Sequence, residues 1–159
     1  MAIKTEKIEI IGINVSDVDK AVALFREMFG IEFISTVLGP DDTPIVNVAP
    51  RTGEVFTDSQ TAQARPTRIA IDTRGYFELM ESHRDAAQDG MRNIHFKVDD
   101  IDAAIAEMQR LGVRLVGNVL VGTMREAIFD AGDLFGCRIC LVQYPGPSLM
   151  EALTDKPAR

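Results

Sequence analysis

The chain has 159 residues and a formal net charge of −7. Such an acidic surplus repels phosphate backbones and anionic lipids, which argues against nucleic-acid or membrane partners. No segment approaches the roughly 20 apolar residues that a membrane span needs, and the first residues resemble neither a signal peptide nor a transit peptide. We therefore expect a cytoplasmic protein with a single domain over residues 1–159.

The two cysteines, Cys137 and Cys140, are three residues apart, and no second pair completes a four-ligand structural zinc site. They lie in the apolar run CRICLVQY, which predicts a strand. Cysteine in such a run usually behaves as a small buried apolar side chain.

Two segments, residues 9–33 and 92–115, carry the same pattern of residue types. Each begins with an apolar run that predicts a strand, passes through an acidic turn and changes to the helical spacing of apolar residues. Each predicted helix ends at a glycine, Gly30 or Gly112. An offset of 83 aligns Ile11 with Ile94, Val15 with Val98, Asp17 with Asp100, Asp19 with Asp102, and Ala21 with Ala104.

In chain order, each half is predicted to form β-α-β-β-β. The first module, 7–81, has strands at 8–15, 31–37, 67–72 and 75–81, a helix between the first two, and a long segment at 38–66 that we interpret as a flap over a cleft. Residues 82–90 are predicted to link the modules. The second module, 91–144, has strands at 94–98, 113–121, 125–130 and 137–144, and a C-terminal tail at 145–159 follows.

This tandem pattern, carried by IGINVSDVDKAVALFREMFG and IHFKVDDIDAAIAEMQRLG, resembles the vicinal oxygen chelate superfamily. That superfamily includes glyoxalase I, methylmalonyl-CoA epimerase, extradiol dioxygenases and bleomycin-resistance proteins. The resemblance implies an α+β fold in which two tandem βαβββ modules form a cup-shaped mixed sheet with helices outside. It also implies a small-molecule ligand, a homodimer and, in most members, a divalent metal that stabilises enolate-like charge.

The family's metal ligands are typically two histidines and one or two carboxylates. Their positions fall here on Ile10, Glu78, Asn93 and Cys140, and of these only Glu78 keeps a usual ligand. Isoleucine offers a metal no donor atom, and an amide oxygen is a poor substitute for imidazole at zinc or iron. We therefore expect no tightly bound catalytic transition metal and no cofactor.

Because strand side chains alternate between faces, Asn93 and His95 are predicted to point the same way. If Asn93 occupies a family ligand position, His95 also faces the cup, opposite the space left by its counterpart, Gly12. Glu78 should face the same cavity. We interpret His95 and Glu78 as a catalytic acid–base pair and Asn93 as a hydrogen-bond donor to a carbonyl oxygen of the substrate.

A carboxylate facing an apolar cup needs a partner, and for Glu78 the candidates are His95, one of several arginines, or the ligand. The arginines considered are Arg68, Arg92 and Arg125. Further candidates for substrate binding are Tyr76, Cys140, Arg125 and Phe56, and Met124 and Phe129 are candidates for the cavity or its rim.

Three interpretations stay open at this point. The first is metal-independent proton transfer on a small oxygenated, partly apolar molecule, as in an isomerase, epimerase, cyclase or lyase. The second is a non-catalytic protein that binds and sequesters a small molecule, like bleomycin-resistance proteins. The third is a metal-dependent lyase or dioxygenase with an atypical ligand set such as Glu78, Asn93, His95 and waters.

Overall fold

The structure, a computed structural model, describes residues 2–38, 67–81, 89–121 and 123–154. The first module contains β1 (Thr5–Asn14), α1 (Val18–Phe29), β2 (Phe33–Leu38), β3 (Thr67–Asp72) and β4 (Phe77–Glu81). The second contains β5 (Gly90–Val98), α2 (Ile101–Arg110), β6 (Leu115–Val121), β7 (Met124–Phe129) and β8 (Arg138–Gln143), with a 3-10 helix (Gly132–Leu134) before β8. A last helix, α3 (Leu149–Thr154), follows. The proposed flap beyond Leu38, and residues 82–88 of the proposed linker, lie outside the described residues.

The eight strands form one open, curled mixed sheet in the order β2-β3-β4-β1-β5-β8-β7-β6. The first strands of the two modules, β1 and β5, pair antiparallel at its centre. Each also pairs in parallel with the last strand of its own module, β1 with β4 and β5 with β8. The predicted fold class, two βαβββ modules in an α+β arrangement, is confirmed.

The two acidic turns begin the two long helices. The Asp17 carboxylate accepts a hydrogen bond of 3.0 Å from the Lys20 backbone N–H, and the Asp100 carboxylate accepts one of 3.0 Å from Ala103. Each bond satisfies a backbone donor that has no partner inside its helix. At the other end of α1, Gly30 has a φ of 64°, a left-handed conformation that favours glycine and stops the helix.

The convex face of the sheet packs against α1 and α2. Leu79 is fully buried under α1, and the ring of Phe77 lies 5.6 Å from that of Phe25 in an edge-on contact. Both side chains therefore face the helices. Phe129, considered above for the cavity rim, is instead fully buried in the core beneath α2. That assignment was wrong because Phe129 shares its parity on β7 with Ala127, which also faces α2.

On the concave face, α3 covers an apolar wall. The C-terminal segment is predicted above as a tail, but Leu149, Ala152 and Leu153 have helical spacing and bury their side chains. The Ser148 hydroxyl accepts a hydrogen bond from the Glu151 N–H at 3.2 Å and caps the helix. The helix packs against residues of both modules: Ile10, Ile69, Ile71, Val119, Met124 and Val142. Among the described residues, no helix has the length and apolar character to cross a membrane.

Candidate active site

The central strands bring four of the predicted site residues onto one face of the sheet. Gly12 on β1 is the register partner of Glu78 on β4 and of Asn93 on β5. Two residues after Asn93 on β5, His95 is the register partner of Cys140 on β8. Asn93 and His95 are each 6% exposed, and because they are two residues apart on β5 both side chains are on this face. We call Glu78, Asn93, His95 and Cys140, together with Glu126 of β7, the site cluster.

Glu126 holds the imidazole of His95. His95 Nε2 lies 2.9 Å from Glu126 Oε1, and both side chains are mostly buried. The other ring nitrogen, Nδ1, is buried and has no hydrogen-bond partner among the described residues. Because buried polar atoms are nearly always satisfied, an imidazole with one fixed and one unmet nitrogen is typical of a group that meets a ligand.

The charges in this pair favour a protonated histidine. Burial alone would lower the pKa of His95, but the adjoining Cys140 and Glu126 outweigh it, and that pKa lies well above its ordinary value. Burial raises the pKa of Cys140 to about 11, so its thiol is neutral near pH 7. Burial also acts to raise the pKa of Glu126, but the charge and hydrogen bond of His95 lower it. Glu126, whose pKa is lowered, is thus the carboxylate of the pair, and with Cys140 it raises the pKa of His95.

The pKa of Glu78 is shifted in the opposite direction to that of Glu126. Burial raises its pKa, and the nearby negative charge of Glu126 adds to this, while the positive charges of His95 and Arg92 act against it. The result is a carboxyl group with a raised pKa beside a carboxylate with a lowered one. Two carboxyl groups whose environments separate their pKa values in this way can take different roles in proton transfer.

Asn93 fills the space above Gly12. A Cβ atom at position 12 would lie 1.7 Å from Asn93 Oδ1, so any side chain there requires Asn93 to move. The space predicted opposite His95 is therefore occupied by the amide of Asn93. Its Nδ2 lies 3.8 Å from Cys140 Sγ, whereas its Oδ1 is buried with no partner among the described residues.

The other predicted residues lie elsewhere. Arg125 donates to Asn118 at 3.1 Å and pairs with Asp102 of α2 at 2.7 Å, so its partner is not Glu78. Tyr76 is 58% exposed and lies beneath the guanidinium of Arg74. Phe56 lies outside the described residues.

The remaining arginines considered for Glu78 are also engaged. Arg68 pairs with Asp19 and Glu81, and Arg92 donates to the Asn14 side chain at 3.0 Å. Of these arginines, Arg92 is the one whose charge lowers the pKa of Glu78.

Sequence reasoning missed Glu126. The residues REAIFD predict a strand, but the sequence leaves open which face each residue takes, and Arg125 is the residue of this strand predicted to bind substrate. The available signal was the trio Met124, Glu126 and Ile128, in which a single charged residue alternates with apolar ones on the face that turned out to be concave. Register across β8 settles this parity, because Ile128 pairs with Cys140.

The residues at the family's metal-ligand positions do not fit a metal site. Ile10 is 5% exposed, lies in the apolar cluster beneath α3 and offers no donor atom. At the second of these positions, the atom of Asn93 nearest to Cys140 is its Nδ2, which carries protons and does not ligate.

Comparison with known protein families identifies one superfamily. Residues 11–129 match the family described as Glyoxalase/Bleomycin resistance protein/Dioxygenase superfamily. A Streptomyces coelicolor methylmalonyl-CoA epimerase variant in complex with 2-nitronate-propionyl-CoA has a TM-score of 0.61 at 19% identity, covering 97% of this chain and 100% of that one. No curated protein matches the sequence.

Two further structures are similar. Methylmalonyl-CoA epimerase from Mycobacterium tuberculosis has a TM-score of 0.60 at 20% identity, covering 92% of each chain. A hypothetical protein from Bacillus halodurans has a TM-score of 0.61 at 16% identity, covering 89% of this chain and 96% of that one. At these identities the likeness shows the fold.

Proposed function

The chain belongs to the glyoxalase/bleomycin resistance protein/dioxygenase superfamily, and from that premise we propose that it catalyses metal-independent proton transfer. The substrate is a small oxygenated, partly apolar molecule with an acidic C–H next to a carbonyl group, and the reaction is of the isomerase, epimerase, cyclase or lyase type. The observation that carries this proposal is His95, fixed through Nε2 by Glu126 at 2.9 Å and unmet at a buried Nδ1.

In this proposal, Glu78 is the base. Its raised pKa makes its carboxylate a better proton acceptor than an exposed glutamate, and it is near enough to His95 for the charge of that ring to act on its pKa. Glu78 removes the proton from carbon. The protonated Glu78 returns the proton to a different carbon, which gives an isomer, or to the same carbon after the enolate has turned over, which gives an epimer.

His95 is the acid. Its imidazolium donates from Nδ1 to the carbonyl oxygen as negative charge develops there, which is the role that a metal has in most relatives. Glu126 positions the ring and stabilises its charge through Nε2. Asn93 presents Oδ1, an acceptor suited to a hydroxyl group of the substrate, so it acts through its oxygen and not as the donor expected above.

The similar solved structures support the class of reaction. Two of those named above are methylmalonyl-CoA epimerases, one of them bound to 2-nitronate-propionyl-CoA. Epimerisation requires removal and return of a proton on carbon, so a site with an acid and a base at its centre is consistent with the same elementary step.

The test is deuterium uptake from D2O by a panel of carbonyl compounds: a dicarbonyl, an acyl thioester and an enone, followed by proton NMR. The intact protein should accelerate exchange for at least one class, and Glu78→Gln should abolish that acceleration. Glu9→Gln is the matched control, because Glu9 is also a buried carboxylate but accepts a hydrogen bond of 2.8 Å from Tyr144. Equal exchange in the intact protein and in Glu78→Gln would contradict the proposal.

A second candidate is a non-catalytic small-molecule binding protein. The observation in its favour is that the site cluster offers a cationic ligand two carboxyl groups and the unmet Oδ1 of Asn93. Saturable binding of an ammonium-bearing ligand that Asn93→Ala weakens, without exchange or turnover of any compound, would favour this candidate.

A homodimer also belongs to the proposal, as the resemblance to the superfamily implies. Light scattering at micromolar concentration should give twice the mass of the chain. A monomer would contradict it.

A further inference from the structure

Three ligand-type side chains of the site cluster converge, and only one of them, Cys140, lies at one of the family's ligand positions. The donor atoms of His95, Glu126 and Cys140 all lie within 4.8 Å of one another. Two of the three, His95 and Glu126, occupy positions that the superfamily alignment does not use for metal. A tetrahedral zinc ion with bonds of about 2.0–2.3 Å holds its ligand atoms about 3.3–3.6 Å apart, so shifts of about 1 Å are enough to close this set around an ion.

The backbone favours this convergence. His95 and Cys140 are register partners on parallel strands, so their side chains leave the sheet side by side. On the neighbouring strand β7, Ile128 is the register partner of Cys140. Glu126 is two residues before Ile128, so its side chain is on the same face of the sheet. Ligands on three adjacent strands are held more rigidly than ligands on loops.

A second observation points to an occupant. Two buried polar atoms beside this set, His95 Nδ1 and Asn93 Oδ1, have no partner among the described residues. The Asn93 amide borders the thiol through Nδ2, which lies 3.8 Å from Cys140 Sγ. Orphaned atoms at a cluster of nitrogen, sulfur and oxygen donors are expected where a bound species is absent.

We propose that His95, Glu126 and Cys140 form a binding site for a thiophilic divalent cation of the zinc class. Imidazole, thiolate and carboxylate are a ligand combination that suits such an ion and leaves a fourth position open. Glu126 keeps 15% of its side chain exposed, which gives the ion an approach. Binding releases one proton from the thiol and one from the imidazolium, and the neutral imidazole and thiolate then coordinate.

The site has a regulatory consequence that depends on the proposed function. An ion coordinated by His95 and Glu126 removes the acid and its positioning carboxylate from proton transfer. Zinc is therefore an inhibitor of the proposed reaction, and ion and proton compete for the same two groups.

The experiment uses the full chain, freed of metal with a chelator and titrated with Co²⁺, which reports thiolate ligation as a charge-transfer band in the near ultraviolet. One equivalent should bind with this band, and Zn²⁺ should displace it. Cys140→Ser should abolish the band, while Cys137→Ser, the matched control on the neighbouring half-buried cysteine, should keep it.

A second variant guards against a folding defect in Cys140→Ser. Glu126→Gln should keep the band but weaken Co²⁺ binding by more than the about 10- to 100-fold that loss of an outer-shell partner costs. Circular dichroism of each variant shows whether the fold is kept. Absence of Co²⁺ binding, binding without the band, or a band that Cys137→Ser removes would overturn the proposed ion site.

The two proposals fail separately. Stoichiometric Co²⁺ with the thiolate band, but deuterium exchange unchanged by saturating Zn²⁺, would keep the ion site and sink the role of His95 in proton transfer. Exchange that depends on Glu78 in a protein that binds no Co²⁺ would keep the function and overturn the ion site.

Discussion

Two buried polar clusters of this protein have opposite hydrogen-bonding states. In the first cluster, around Glu9 and Tyr144, the Tyr144 hydroxyl donates a hydrogen bond to Glu9 at 2.8 Å. Lys97 Nζ lies 3.2 Å from the Glu6 carboxylate and 3.4 Å from the Gly146 carbonyl oxygen. The same Nζ atom lies 4.4 Å from the centre of the Tyr144 ring. In the site cluster, His95 Nδ1 and Asn93 Oδ1 have no partner among the described residues.

The difference separates a structural role from a functional one. A fully paired network offsets the cost of burying its charges and fixes the segment that leads into α3. A partly paired network costs stability, and proteins keep such networks where a ligand completes them. Composition alone does not make this distinction, because both clusters contain carboxylates and a cationic group.

The largest expected effect is a difference in catalysed exchange between variants of two buried carboxylates, Glu78 and Glu9. Glu78→Gln should lower catalysed exchange by about 10²- to 10⁴-fold, the usual contribution of a general base, and Glu9→Gln should leave it within about threefold. Rates of deuterium uptake under identical conditions give the ratio. Comparable losses in the two variants would mean that the clusters do not differ in function.

The next largest expected effect is a loss of stability when a methyl group is added at Gly12, between β1 and β5. Gly12→Ala places Cβ 1.7 Å from Asn93 Oδ1, and overpacking of this kind costs about 1–3 kcal/mol of unfolding free energy. Urea denaturation measures the loss. The double variant with Asn93→Ala should recover most of it, and independent, additive effects of the two substitutions would refute the contact.

Titration of Cys140 tests the burial of the site cluster. Its pKa in the folded protein is about 11, raised from a reference value of 9.0, so the folded state holds this proton more tightly than the unfolded state does. The resulting stabilisation is complete below about pH 9 and is lost as the pH rises toward 11. In Cys137→Ser, thiolate absorbance in the ultraviolet should rise only above pH 10. A midpoint near 9 would show that water reaches the thiol.

The smallest expected effect lies in the paired cluster. Tyr144→Phe removes the hydrogen bond to Glu9, but Glu9 keeps Lys7 at 3.1 Å, so the loss of unfolding free energy should be about 1 kcal/mol. Thermal denaturation measures it, with unchanged deuterium exchange as the contrast to Glu78→Gln. If the Tyr144→Phe variant is folded but has lost deuterium exchange, the cluster around Glu9 and Tyr144 contributes to catalysis and the prediction is wrong.

The fold was predictable because its signals are periodic and repeated. Apolar spacing marks the strands and helices, and the duplicate acidic turns at Asp17 and Asp100 locate both helix starts. The exception is α3, because a six-residue helix after two prolines carries only Leu149, Ala152 and Leu153 as a periodic signal.

The site was predictable where strand parity could be anchored to a repeat. Asn93 and His95 share a face by their spacing, and Glu78 follows from its equivalence to Cys140 in the other module. Glu126 could not be placed, because β7 lacks such an anchor and its facing depends on the register with β8. The groups that act on Glu78 could not be predicted either, since they depend on which charged side chains the fold brings near it.

The placement of α3 also affects the order of folding. This helix follows all eight strands along the chain, yet its side chains complete the apolar wall made by Ile10, Ile69 and Met124. During synthesis, that wall is exposed to water until both modules and α3 have emerged from the ribosome. The first module therefore has no finished concave core of its own, and the two modules are expected to gain their final stability in a single cooperative step.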